Sequence, residues 1–458
     1  RRDPKNELYH DKAEDALRQV VPVTSDEVRQ RYGELIALLR HRANHDPGDA
    51  DDHLRLLDEL VHAARHSEAP VFWEEVETAA HAMWRGVAVG DPKRIEAKLY
   101  EATALLTPSQ LATRSEADLQ AGREALETYL AEQPDSDRAW SIRLSYEREI
   151  ARIAHRSGLT TWEEDLARAQ QTAREALENV EDGLHVPIAV LELVRVEQMA
   201  AGESSFSNGE IQEIASTLEE RVAKLEDPFL VGRGADAIQG VRWVDEVPDA
   251  LLIVDKYLER HPDAPALRFV RARFLYRLRK LDEAADDARI ILETPSLPVS
   301  YEAQVLFVIR RQAAGLLSDV AFVRWAEAEP ERQPELLEAL RERHAELDAL
   351  VADKANDPIL QRASAKLAIA EDDPDRAVQM FERLLAQVEE PDVETLIYAS
   401  AMLEEAGSLG PALDRIEQAV ALQPQNAALW IRQINLELRM RDLDKAMATA
   451  TSAMQLHP

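Results

Sequence analysis

The chain has 458 residues, of which 45% are hydrophobic and only 5% aromatic, and its formal charge is −32. This charge argues against nucleic acid and against an anionic membrane surface as partners, because both are bound through basic faces. The absence of cysteine excludes disulfides, thiolate metal sites and a cysteine nucleophile. No stretch of 18 apolar residues occurs, so no membrane span is predicted.

Helical units are predicted from the N-terminus onward. Pro47 ends an early unit, and a helix is expected to begin near His53 with a stripe of leucines on one face: Leu56, Leu57 and Leu60. Tyr129 and Pro134 close a later unit, and Trp140 opens the next. Residues 151–233 keep the helical period but lose these landmarks.

The middle of the chain contains a clear pair of units at about residues 234–296. Its landmarks recur at a spacing of 34: Ala250, Val254 and Tyr257 are followed by Ala284, Ala288 and Ile291. The polar stretch Gly202 to Gly209 precedes this pair and is a candidate hinge or enlarged loop. Residues 297–357 again show helical periodicity with weaker landmarks.

The C-terminal segment, residues 393–458, repeats itself at the same spacing. Ala412, Ala419 and Pro424 return as Ala446, Ala453 and Pro458, and the unit before is offset by 35 with Ala377, Phe381 and Leu384. A period of 34 predicts paired helices that stack on their neighbours.

This pattern resembles the tetratricopeptide repeat family, which places Trp early in the first helix, Ala at the crossing in the second and Pro at the end. The resemblance implies an all-α, right-handed α-solenoid of antiparallel helix pairs. It also implies a non-enzymatic scaffold without cofactors that binds a partner protein or peptide in its concave groove. The family's clamp of Lys and Asn for chaperone tails is incomplete, because Asn435 matches but Ile431 replaces the Lys.

We expect one continuous solenoid in three blocks, residues 1–201, 202–357 and 358–458, with a hinge near 202–209. The chain begins at Arg1 without a methionine, which suggests a segment of a longer protein. A cytoplasmic or periplasmic location, and a membrane anchor before residue 1, therefore both stay open.

One strongly basic helix stands out in this acidic chain. Its cations lie within 13 residues and alternate with aromatic residues: Arg268, Phe269, Arg271, Arg273, Phe274, Tyr276, Arg277, Arg279 and Lys280. In the register of the resemblance this is a first helix, whose groove-facing positions are Phe269, Arg273, Tyr276 and Arg277. Such a strip suits an acidic or carboxylate-ended peptide. The alternative is neutralisation inside the chain by acids of the next helix: Asp282, Glu283, Asp286 and Asp287.

Histidines raise a second hypothesis, because six of the twelve lie between His41 and His81. The spacing of His62 and His66, like that of His41 and His45, places two imidazoles on one helix face, where they could bind a transition metal. His53 or Glu59 could supply a third ligand. The alternative is that these are ordinary surface residues.

The search for catalytic motifs finds no nucleophile elbow, no phosphate loop and no His-Glu-x-x-His. Gly232, Gly234 and Ala237 form a Gly-x-Gly-x-x-Ala string, which we interpret as a loop because no βαβ pattern surrounds it. Two interpretations other than groove binding stay open, a self-associating structural subunit and a metal-binding module.

Overall fold

The computed structural model describes most of the chain. The described part leaves out residues 1–3, 21–24, 67–70, 158, 202–203, 223, 226, 242–248, 297–300, 352–353, 355–356, 387–392, 406, 423–426 and 457–458. Within the described part there are 22 α-helices and no strand, so the predicted all-α class is confirmed. No described helix combines the length and apolar character that crossing a bilayer requires.

The helices are numbered α1 to α22 in chain order. Their bounds are Pro4–Gln19, Ser25–His45, Ala50–His66, Val71–Gly86, Glu96–Leu106, Glu116–Glu132, Asp137–Arg156, Trp162–Asn179, His185–Ala201, Asn208–Val222, Pro228–Gly240, Ala250–Arg260, Pro265–Arg277, Leu281–Glu293, Tyr301–Ala326, Gln333–Leu350, Pro358–Ala370, Pro374–Ala386, Val393–Glu405, Leu409–Leu422, Ala427–Arg439 and Leu443–Leu456.

The chain divides into two compact units. Unit 1 contains Arg1–His155, Leu159–Arg271 and Thr294–Val308, and unit 2 contains Arg156–Gly158, Ala272–Glu293 and Ile309–Pro458. The boundary passes through α13 and α15. The three-block division expected from the sequence stays a prediction.

Unit 1 buries the apolar stripes of successive helices against each other. The predicted leucines of α3 are buried together with Leu35 and Leu39 of α2 and Met83 of α4. Between α5 and α6 the close contact is made by Gly122, where a Cβ would lie 2.8 Å from the Leu106 side chain. Neighbouring helices therefore form the core, as in a repeat array.

The predicted period is present in the helix bounds of unit 2. Moving α19 and α20 by 34 residues reproduces the bounds of α21 and α22, and α17 precedes α19 by 35. The crossing alanines at positions 377, 412, 419 and 446 are all buried. These small residues let the two helices of a pair approach closely, and the predicted helix pairs are confirmed.

The turns between paired helices share one geometry in unit 2. Each contains a residue with positive φ: Arg279 (63°), Asp372 (58°), Gly407 (73°) and Arg441 (61°). At Gly407 the amide bonds the carbonyl of Glu404, and the next amide bonds that of Leu403. Equivalent bonds close the other three turns, which places a left-handed residue at each helix C-terminus.

Glycine should be preferred in these turns, because only glycine adopts a left-handed conformation without cost. We expect Arg441→Gly to raise the free energy of unfolding by about 1 kcal/mol and Gly407→Ala to lower it by about 1 kcal/mol. A Cβ at Gly407 would have no atom within 4 Å. Gly407→Ala therefore adds no side-chain contact and measures only the cost of the left-handed backbone conformation. Urea denaturation measures both changes. A free energy of unfolding that neither Arg441→Gly nor Gly407→Ala alters would contradict this account.

The Gly-x-Gly string is not a loop. Gly232 and Gly234 lie inside α11, and a Cβ at Gly234 would lie 2.9 Å from Val222 of α10. The loop interpretation was wrong because these glycines serve close helix packing, which a local pattern does not reveal. A dinucleotide site would need a strand before the string, and the described residues there contain none.

Candidate functional site

The helix that carries the predicted binding residues is α13, the first helix of its pair. Phe269 lies half-buried on the part of α13 that belongs to unit 1. Arg273 and Tyr276 are half-buried and Arg277 is exposed, all in unit 2. The structure therefore leaves Arg273, Tyr276 and Arg277 accessible on one helix of unit 2.

The other cations of this strip interact within the chain. Arg268 donates to the carbonyl of Pro262, and the Arg271 Nε lies 2.6 Å from an Asp255 carboxylate oxygen. Arg279 pairs with Glu327, and Lys280 lies 3.6 Å from Glu283.

The alternative expected from the sequence, neutralisation of the basic strip by acids of the next helix, is therefore present at Glu283, which pairs with Lys280. Asp282 and Asp286 bind elsewhere, to Arg324 and Arg289. Asp287 is buried. Arg273 and Arg277 also interact within the chain.

A second set of charges in unit 2 links α15 to α17. The Asp319 carboxylate accepts from Lys366 Nζ at 2.9 Å and from Arg362 at 3.2 Å. The ammonium of Lys366 also lies 5.5 Å from the centre of the Phe322 ring. Lys366 is buried, whereas 35% of the Arg362 side chain is exposed. We call Asp319, Phe322, Arg362 and Lys366 the Asp319 cluster.

The charges of the Asp319 cluster act on the phenol of Tyr276 in α13. Burial raises the pKa of its phenol; the Lys366 and Arg362 charges oppose that rise, and the Asp319 charge adds to it. The phenol therefore stays protonated near neutral pH and can donate a hydrogen bond. Tyr276, the neighbouring Arg273 and Arg277 of α13, and the Asp319 cluster form the candidate site.

A second ion pair between the same helices has a similar arrangement. Arg311 of α15 lies 2.7 Å from Asp357, which also accepts the amide of Leu360 and so caps α17. The carboxylate is 3% exposed and the arginine 29%. The acid is therefore more deeply buried than the arginine that it pairs with.

Comparison with known proteins identifies the repeat. Residues 245–298, which contain α12, α13 and α14, match the family model described as tetratricopeptide repeat. This part of the chain is therefore a tetratricopeptide repeat. No curated protein matches the sequence.

Solved structures with similar folds include tetratricopeptide repeat proteins. A thermophilic one from Thermus thermophilus is 15% identical over 46% of this chain and 100% of that one, with a TM-score of 0.37. Yeast Tom70 is 12% identical over 97% of this chain and 92% of that one, with a TM-score of 0.42. A tetratricopeptide repeat protein of Parabacteroides merdae is 13% identical over 74% of this chain and 99% of that one, with a TM-score of 0.34. At these values the likenesses carry no argument about what this protein binds.

The histidines proposed as metal ligands lie in α2 and α3. His53 is buried, its Nε2 lies 3.2 Å from the Pro47 carbonyl, and burial lowers its pKa. Glu59 accepts from Tyr32 at 2.5 Å and from Arg18 at 3.1 Å. His62 is half-buried, and the side chain of His66 lies outside the described residues. The described side chains contain no group of three or more that could bind a metal, and metal binding stays a hypothesis.

Sequence reasoning missed the Asp319 cluster. A signal was present, because Arg362 and Lys366 are spaced i, i+4 on an otherwise apolar helix, and Asp319 interrupts the apolar part of α15. Their meeting depends on Gly315, where a Cβ would lie 2.4 Å from the Ile359 methyl group. This contact brings α15 and α17 close enough for the ion pairs to form.

Gly315→Ala should therefore destabilise the protein although alanine favours helices. Overpacking costs about 1 to 3 kcal/mol, against a gain of about 1 kcal/mol in helix propensity. We expect a net loss of about 1 kcal/mol in urea denaturation. Gly33→Ala in α2 is the matched control, because a Cβ there meets no atom within 4 Å and should stabilise. Gain of stability in both variants would contradict the close contact of α15 and α17.

Proposed function

We propose that this protein is a non-enzymatic interaction scaffold that binds an acidic segment of a partner protein at the candidate site in unit 2. The tetratricopeptide repeat is in general a protein-interaction fold, which supports the coarser statement. The finer one rests on the arrangement of Tyr276, Arg362 and Lys366 beside the arginines of α13. Arginine side chains at such a site favour a partner that presents carboxylates, through charge-assisted hydrogen bonds.

The roles of the residues follow from their exposure. Arg273, Arg277 and Arg362 reach solvent and would donate to carboxylates in paired geometry, which arginine favours over lysine. Tyr276 would donate one further hydrogen bond. Lys366 is too deeply buried to meet a ligand directly, and its role would be to stabilise the buried carboxylate of Asp319. Phe269 was predicted to add an apolar contact, and this role stays a prediction.

The test is a titration with a fluorescent peptide that alternates Asp or Glu with Leu or Phe and ends in a carboxylate. We expect saturable binding that weakens as ionic strength rises, because exposed charge pairs are screened over about 8 Å in physiological salt. The matched control peptide replaces each acid by its amide. Equal affinity for both peptides, or affinity independent of salt, would contradict the proposal.

A further inference from the structure

A cavity in unit 2 lies among α14, α15 and α16 and shares no residue with the candidate site. Its volume is about 110 Å³. Three of its nine lining residues are arginines, one from each helix: Arg289, Arg324 and Arg343. The other six are alanine, leucine or valine, and they include Leu317 and Leu336. A mostly apolar cavity with a few charged groups has the composition of a small-ligand site.

The acids that pair with these arginines lie outside the lining of the cavity. The pairs are Arg289 with Asp286, Arg324 with Asp282 and Arg343 with Glu346. The three acidic side chains are 67%, 93% and 47% exposed, and none of them lines the cavity. Ion pairs with such exposed acids contribute little to stability. An anion that enters the cavity can therefore compete with them for the arginines.

Each of the three guanidinium groups keeps hydrogen-bond donors for a ligand. An arginine has five N–H donors, and in the described contacts each of these arginines uses one nitrogen. Arg324 and Arg343 are less exposed than Arg289, so water competes less for their remaining donors. Arginines beside an apolar cavity favour an oxyanion, because carboxylates and phosphates accept paired N–H bonds.

The volume of the cavity sets the size of the apolar part of the ligand. An apolar cavity of about 150 Å³ binds benzene, so this one accommodates about four or five carbon atoms. We propose that the cavity binds a small organic anion, a carboxylate or phosphate on a short branched aliphatic chain. The chain packs against Leu317 and Leu336, and Arg324 and Arg343 bind the oxyanion. This site is separate from the one for the acidic segment, and neither proposal depends on the other.

The test is a ligand-observed NMR titration of the whole chain with isovalerate and with isoamyl phosphate. We expect saturable binding, and the anion that binds more tightly identifies the preferred headgroup. Isovaleramide, the neutral match of isovalerate, should bind at least about tenfold more weakly, because it lacks the charge that the arginines recognise. Inorganic phosphate should likewise bind at least about tenfold more weakly than its isoamyl ester, because it has no apolar chain.

Two variants test the two halves of the site. Arg343→Leu should weaken binding at least about tenfold, because it removes a charged donor. The matched control is Arg341→Leu on the same helix, since Arg341 also pairs with an acid three residues away, Glu338, and does not line the cavity. Ala339→Leu fills the cavity while all three arginines remain, and it should abolish saturable binding. Circular dichroism of each variant checks that the helices remain folded.

Several outcomes would overturn the proposal. Absence of saturable binding for both anions would mean that the cavity takes no such ligand. Equal affinity for isovalerate and its amide would exclude recognition of charge, and inorganic phosphate that binds as tightly as its ester would exclude recognition of the chain. Binding that survives Ala339→Leu, or that Arg341→Leu weakens as much as Arg343→Leu does, would place the anion elsewhere on the protein.

Discussion

Reversal of the two accessible arginines of α13, Arg273→Glu with Arg277→Glu, should weaken binding of the acidic peptide at least about 100-fold. A hydrogen bond to a charged group contributes about 1.5 to 3 kcal/mol, and 1.4 kcal/mol is a tenfold change in affinity. The reversal removes two such donors and adds two charges that repel the ligand. Fluorescence anisotropy at constant salt measures the change.

The matched control reverses two exposed arginines outside the candidate site, Arg168 on α8 and Arg289 on α14. Each pairs with an acid three residues earlier, Asp165 and Asp286. This control changes the net charge of the protein by the same amount. A difference in affinity between the two variants is therefore due to where the arginines lie. Equal loss of affinity in both variants would mean that the peptide responds to the overall field and not to α13.

Loss of the buried lysine should have a large effect on stability. Lys366→Met removes one of the two cations that hold Asp319 and leaves a mostly buried carboxylate with Arg362 alone. Breaking a buried ion pair from one side costs about 3 to 5 kcal/mol, and we expect about 3 kcal/mol because Arg362 remains. The change should appear in urea denaturation followed by tryptophan fluorescence, to which Trp325 contributes from a position 5.6 Å from Phe322 of the cluster.

A second variant separates the structural role of the pair from ligand binding. Lys366→Met with Asp319→Leu replaces both charges by apolar groups and should recover most of the lost stability. The double variant keeps Arg273, Arg277 and Arg362, so its affinity for the acidic peptide should stay within a few-fold of the original. An unchanged unfolding midpoint in the single variant would show that the lysine is not held as described.

The fold was predictable because its determinants are local and periodic. Ala412 and Ala446 occupy the same slot at a spacing of 34, and both are buried at helix crossings. The turns were less predictable, since Gly407 is replaced by Arg441 and the left-handed geometry persists. Backbone hydrogen bonds of the turn impose this conformation on a residue that does not favour it.

The site was only partly predictable, because its charges come from distant parts of the chain. The basic strip was visible in the sequence, but the partner of Arg271 lies in the helix before it and that of Arg279 lies just after α15. Asp319 and Lys366 are 47 residues apart. Such pairs are set by the packing of α15 on α17 through Gly315, which no local pattern encodes.

Hydrogen exchange of the whole chain, with and without the acidic peptide, tests the central claim most directly. Amide protection reports where a ligand stabilises the structure. We expect added protection in unit 2 at the C-terminal part of α13 and in the segments of α15 and α17 that carry Asp319 and Arg362, with α2, α3 and α22 unchanged. Protection that excludes these three segments, or that appears only at α21 and α22, would contradict the assignment of the binding site.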